Sequence, residues 1–249
     1  MIELDRVGRS FTVGRRRAKK TVHAVRDLSF TVQAGEFVGY LGPNGAGKST
    51  TIKMLTGILA PTSGSIRVAG LDPTRRRVAL ARRIGVVFGQ RTTLWWDLPL
   101  RDSFELVRHL YKVDQPVFRR RLAELTEILD LAEFMTTPVR QLSLGQRMRG
   151  DITAALLHDP AVLVLDEPTI GLDVVSKAAM RDFLRRLNAD RGTTVLLTTH
   201  DMGDIEKLCH RVMLIDHGSL AFDGTLDDLR ATAPEGDSIE EVVTRLYSG

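Results

Sequence analysis

Residues 41–51 read LGPNGAGKSTT, which sets three glycines, one lysine and three hydroxyl side chains immediately ahead of an apolar stretch. Gly42, Gly45, Gly47, Lys48 and Ser49 fit the spacing G-x-x-x-x-G-K-[ST]. That spacing needs a strand before it and a helix after it. Glycines let the backbone turn its N–H groups inward, and the helix N-terminus adds partial positive charge. The chemistry implied is phosphate binding. Asn44, Gly45 and Gly47 supply the cradle, Lys48 reaches the β- and γ-phosphates, Ser49 can ligate Mg²⁺, and Thr50 is a further phosphate donor.

A second element is required to hold a metal. VLVLDEP, residues 162–168, is an apolar strand pattern that ends in two carboxylates. Adjacent strand residues point in opposite directions. Asp166 is therefore expected to face Mg²⁺ while Glu167 faces an attacking water as general base.

The elements that must position these groups alternate between strand and helix. Strands are expected over residues 2–7, 25–32 and 36–42, with a helix from about Gly47 to Gly57. GSIRVAG and RIGVVFG read as further strands. From Leu100 to about Leu157 the apolar period becomes helical, as in an insert between parts of a sheet. AVLVLDEP, a helix over residues 178–187, TTVLLTTH, another helix and a hairpin turning at His217-Gly218 follow. Two short helices are expected after Thr225. This alternation predicts a parallel sheet covered on both faces, with an antiparallel first portion.

Phosphate loop plus acidic strand is shared by GTPases, nucleotide kinases and motor ATPases, and no Asn-Lys-x-Asp guanine reader is present. LSLGQRMRGD at residues 142–151 narrows the field. It resembles the signature of ATP-binding cassette (ABC) ATPases, commonly written Leu-Ser-Gly-Gly-Gln. The order of phosphate loop, Gln90, signature, Asp166-Glu167, Gly171-Leu172-Asp173 and His200 is similar along nearly the whole chain. The resemblance implies an α/β P-loop NTPase: a RecA-like, mostly parallel sheet core, an N-terminal antiparallel β subdomain and an inserted α-helical subdomain. Its division would be 1–95 and 160–224 for the core, 96–159 for the helical part with the signature, and 225–249 for a helical tail.

It also implies a head-to-tail dimer in which each ATP lies between one phosphate loop and the other subunit's signature. Ser143 is a natural helix N-cap. With Gly145 and Gln146 it would make a second anion cup. Leu144 departs from the pattern, standing where the family has glycine, and is expected to point away from the nucleotide. Gln90 resembles the glutamine that touches Mg²⁺ or the water, and His200 the histidine that bonds the γ-phosphate. Asp173 would help to organise the opposite site. Phe11 matches an adenine-stacking aromatic, with a core-facing role as the competing reading.

LWWDLP, LSLGQRMR and EPTIGLD together resemble the ATPase component of type-two ABC exporters. That implies separate integral membrane permeases contacting the region from Gln90 to Leu106, and a peripheral place on the cytoplasmic face of the membrane. A soluble ABC ATPase acting on ribosomes or DNA is the alternative. Trp95 and Trp96 are the chain's two tryptophans; they are read either as interface anchors or as buried within the helical insert.

The 249 residues, 43% hydrophobic and 27% charged, are enough for a large core. One cysteine, Cys209, rules out an intrachain disulfide. The opening MIELDRVGRS lacks a leader pattern. No apolar run approaches the roughly 20 residues that span a bilayer. Net charge is +4, and much of the excess lies in RRRAKK at residues 15–20. That run reads as a solvated loop or as a contact for anionic headgroups. No specific nucleic-acid partner is expected, because no aromatic-basic interleaving appears.

Overall fold

A computed structural model describes residues 1–14, 19–89, 91–232 and 237–248. Along the chain the elements are β1 (Ile2–Val13), β2 (Lys20–Val32), β3 (Phe37–Leu41), α1 (Lys48–Leu55), β4 (Ser63–Val68), α2 (Arg77–Ala81) and β5 (Ile84–Phe88). Then come α3 (Leu100–Tyr111), α4 (Gln115–Ile128), α5 (Leu144–Leu156), β6 (Val162–Asp166), α6 (Val174–Arg191) and β7 (Thr194–Thr198). The last are α7 (Met202–Leu208), β8 (Arg211–Asp216), β9 (Ser219–Thr225), α8 (Leu226–Ala231) and α9 (Ile239–Ser248).

Two sheets form. One is antiparallel, in the order β2-β1-β4; the other has six strands in the order β5-β6-β7-β3-β8-β9. Neighbours from β5 to β8 are parallel, and β9 returns antiparallel along β8. The fold is thus the α/β P-loop arrangement expected, with a mostly parallel core and an antiparallel first sheet. The β8–β9 turn uses His217 at φ 46° and Gly218 at φ 83°, the two positive φ angles of a tight primed hairpin turn.

Period-2 alternation divides the six-stranded sheet between two cores. Val38, Tyr40, Val164, Leu196 and Met213 face a core shared with Ile2, Val25, Leu28 and Ile52, between the sheets and α1. Phe37, Leu41, Leu163, Leu165, Leu197 and Leu214 face a second core. Phe104 of α3, Phe118 of α4, Ile152 of α5 and Phe183 of α6 complete it. The helical insert is therefore continuous with the sheet's packing on one face.

Three boundaries differ from the sequence expectation. β1 runs on to Val13 and β2 begins at Lys20, so the strands are longer than the apolar patterns that marked them. Residues 15–18 of the basic run lie outside the described residues. The helix expected over 178–187 spans Val174–Arg191, because Asp173 caps its start and Gly192, at φ 63°, ends it. Apolar periodicity marked only the buried middle: Met180, Phe183, Leu184 and Leu187.

Cys209 closes α7 and is 3% exposed, and burial pushes its thiol up. A thiolate, not a thiol, is the nucleophile. The native chain is expected to resist a disulfide-exchange reagent, and the unfolded chain to release one equivalent. Rapid labelling of the native protein would contradict the packing of α7 against β3.

Candidate functional site

The carboxyl ends of β3, β5, β6 and β7 meet along one sheet edge. A cavity of about 730 Å³ opens there, and Asn44, Gly45, Gly47, Lys48, Ser49 and Thr50 line it with Asp166, Glu167 and His200. Nine of the sequence-selected residues are thereby brought together.

The phosphate loop follows β3 and opens α1 at Gly47, whose φ is 111°. A side chain there would be strained and would meet the carbonyl of Ala24 on β2 at 2.5 Å. No side chain caps α1, which leaves the N–H groups of its first turn without a capping partner beside the cavity that Lys48, Ser49 and Thr50 line. A hydroxyl relay steadies this turn: Tyr40 Oη donates to Thr51 Oγ1 (3.2 Å), which donates to Gly47 O (3.2 Å). Lys48 is mostly buried, and its Nζ donates to the carbonyls of Gly42 and Pro43. Burial lowers its pKa; Glu167 and Asp166 pull it back up.

Asp166 ends β6. Its Oδ1 accepts from Thr198 Oγ1 at 2.5 Å, and its carbonyl accepts from Gly89 N at 2.6 Å. Glu167 has already left the strand, with φ 55°. Both carboxylates line the same cavity; Glu167 reaches it through this turn, not through the strand alternation from which its direction was expected. A left-handed backbone at a non-glycine residue aims the second carboxylate, a strain of the kind found at functional sites. His200 N donates to Glu167 Oε2 at 3.3 Å, and His200 Nε2 lies 3.2 Å from Glu167 Oε1. Burial raises the pKa of Glu167, with His200 opposing the rise. The pair is suited to accepting a proton.

The signature stands apart from this cavity. Ser143 caps α5: its Oγ accepts from Gln146 N at 3.2 Å, and Gln146 Oε1 accepts from Ser143 N at 2.9 Å. This capping box was present in the sequence as Ser-x-x-Gln. Gly145 lies in the first turn of α5, against Leu172. Leu144 packs its Cδ2 against Gly171, at φ 70°, within its own chain. Asp173 accepts from Ser176 N (2.9 Å) and Ser176 Oγ (2.6 Å) as the cap of α6. Phe11, on β1, belongs to neither core; Arg9 lies over its ring, 4.6 Å from the centroid. Its cross-strand partner Val22 is two residues from Ala24, which lines the cavity. Gln90 lies outside the described residues.

Three supports were missed by sequence reasoning. Gly89 passes so close to β6 that a side chain would meet the carbonyls of Glu167 (2.6 Å) and Asp166 (2.7 Å). Thr198 orients Asp166. Asp204, fully buried on α7, accepts from Thr169, from Thr199 Oγ1 (3.3 Å) and from Arg181 Nε (2.5 Å), tying the segment after Glu167 to the residue before His200. Only the glycine before Gln90 left a signal in the sequence.

Residues 25–170 match the family model described as ABC transporter. The chain is 35% identical over 231 residues to the ABC transporter ATP-binding protein NatA of Bacillus subtilis (strain 168), covering 93% of this chain and 94% of that one. It is 40% identical to the Nod factor export ATP-binding protein I of Paraburkholderia xenovorans (strain LB400), over 96% of this chain and 75% of that protein. A solved ATP-binding subunit of an ABC transporter superposes with a TM-score of 0.85 at 27% identity, over 98% of both chains. A dimeric ATP-binding cassette in a post-hydrolysis state with ADP and Pi superposes at 0.80 and 27%, over 91% of this chain and 99% of that one.

Gly47→Ala is expected to lower unfolding free energy by about 1–3 kcal/mol and to weaken binding of a fluorescent ATP analogue. Denaturant melts and nucleotide titration test this; an unchanged midpoint and affinity would contradict the loop geometry.

Proposed function

This chain belongs to the ABC transporter family, and on that premise we propose that it is the subunit whose ATP hydrolysis drives separate membrane-embedded permeases, in a system that exports. It is an ATPase, as its family and its relation to a cassette holding ADP and Pi indicate. The observation that carries the proposal is the convergence of Lys48, Asp166, Glu167 and His200 on one cavity at the sheet's carboxyl edge.

In this reading Lys48 and the N–H groups of α1 bind the β- and γ-phosphates, and Glu167 takes the proton of the attacking water. His200 holds both the base and the γ-phosphate. The donor set suits Mg²⁺: a hydroxyl at Ser49 and the Asp166 carboxylate are hard oxygen ligands, and Gln90 adds an amide oxygen. When bound, Mg²⁺ neutralises charge on the phosphate oxygens.

Two cassettes would face each other head to tail, Phe11 stacking on adenine. Ser143, Gly145 and Gln146 lie outside the chain's own phosphate cavity, so a second subunit is needed to supply them. Ile170, Val174 and Val175, beside Asp173, are exposed apolar side chains that support burial in such an interface. The division into 1–95 with 160–224, 96–159, and 225–249 belongs to the same reading.

The permease is assigned to an apolar groove of about 300 Å³, lined by Ile58, Phe88, Thr93, Trp95, Leu110 and Ala155 among others. It shares Ile58 and Phe88 with the lining of the nucleotide cavity. Trp95, Trp96 and Leu110 are well exposed, which supports the anchor reading over burial. No described helix is long and apolar enough to cross a membrane. A peripheral place on the cytoplasmic face belongs to the same proposal, supported by relatives named as ATP-binding proteins of export systems. Cargo contacts belong to the permease.

Glu167→Gln is expected to keep ATP binding while lowering turnover roughly 10²–10⁴-fold. With Mg·ATP it should accumulate as a dimer in light scattering; near-normal hydrolysis would remove Glu167 as the base. Leu110→Glu should abolish co-purification of a polytopic membrane protein while the isolated ATPase stays within about twofold of wild type. Ribosomes or DNA co-purifying instead would favour the soluble alternative.

A further inference from the structure

Asp151 lies in the middle of α5, the helix that Ser143 begins, and only 5% of it is exposed. One of its oxygens, Oδ1, accepts three hydrogen bonds from a single short segment: Thr92 Oγ1 at 2.9 Å, Thr93 N at 3.0 Å and Thr93 Oγ1 at 3.3 Å. Thr92 Oγ1 in turn accepts from Leu94 N at 3.0 Å. Among the described residues no cation lies within ion-pair distance of Asp151; its hydrogen bonds come from neutral donors. Burial pushes its pKa up to about 6, against these bonds and the more distant Arg147. An apolar side chain would fill this place without that cost.

The segment it holds joins three functional surfaces. Upstream, Gly89 and Arg91 line the nucleotide cavity. Downstream, Thr93 and Trp95 line the apolar groove. At the adjacent Gly150, a side chain would meet Leu100 Cδ1 at 2.9 Å and Leu94 Cδ1 at 3.1 Å, so the segment seats directly on α5. The other end of α5 is the signature turn.

We propose that Asp151 is a positioning residue for ATP hydrolysis: by gathering the donors of Thr92 and Thr93 it locks the segment after Gln90 to the signature helix. The nucleotide-facing loop, the permease groove and the anion cup at Ser143 then move as one body. This rests on the cassette-dimer reading above.

The test uses the full chain with Asp151→Ala, Asp151→Asn and Thr92→Val. The last removes a donor while leaving α5 intact, so it reports even where Asp151→Ala fails to fold. Asp151→Ala and Thr92→Val are expected to bind fluorescent ATP normally, with kcat lowered about tenfold or more and KM little changed. In the Glu167→Gln background they should need about tenfold more ATP to dimerise. Asp151→Asn, whose amide oxygen still accepts, should recover most of the activity. Turnover and dimerisation within about twofold of the parent for both Asp151→Ala and Thr92→Val would overturn the role of Asp151 alone. Equal loss of ATP binding, thermal stability and activity in all three variants would also overturn it, as a purely structural effect. A Glu167→Gln parent that stays monomeric with Mg·ATP overturns the dimer reading itself.

Discussion

A parallel sheet sends every strand's carboxyl end to the same edge, and the rest of this molecule is arranged around that fact. β3 delivers the phosphate loop, β6 the two carboxylates, β7 Thr198 and the approach to His200, and β5 Gly89. Convergence is obligatory once the strands are parallel, and so is the electrostatic problem it creates. Lys48 is desolvated beside Asp166 and Glu167, while the start of α1 has no side-chain cap. Backbone carbonyls at Gly42 and Pro43, the Thr198 hydroxyl and the His200 ring keep these groups partnered. A triphosphate complements such an edge because it meets the N–H groups and the lysine with negative oxygens.

Much of this was legible in the sequence because it depends on local rules. Buried parallel strands read as short apolar runs, the glycine-rich loop has a strict spacing, and Ser143 announces a cap. Glu167 was identified by type but not by orientation: its aim comes from one left-handed backbone angle, which strand periodicity cannot foresee. The extent of α6 escaped the apolar pattern because its two ends are solvent-facing and set by capping. Gly171 shows the same limit. Its positive φ and the Leu144 side chain packed against it depend on a contact between segments far apart in the chain.

The supports least visible in the sequence are two buried carboxylates, and comparing them shows how the loops at this edge are held. Loops leaving the strand ends have hydroxyls and backbone N–H groups but no ladder to satisfy them. Asp204 on α7 collects Thr169 and Thr199; Asp151 on α5 collects Thr92 and Thr93. In each case a packed helix offers one multiply accepting group to a segment leading away from the nucleotide. The difference lies in the counterion. Arg181 neutralises Asp204, so that node is a closed ion pair tying the segment after Glu167 to the approach to His200. Asp151 takes its hydrogen bonds from neutral donors. Its ionised form is stable only while Thr92 and Thr93 remain in place, so any displacement of that segment carries an electrostatic cost as well as a steric one. A node of that kind resists independent motion of the two elements it joins, and it lies where the nucleotide loop, the signature helix and the apolar groove come nearest to sharing one residue.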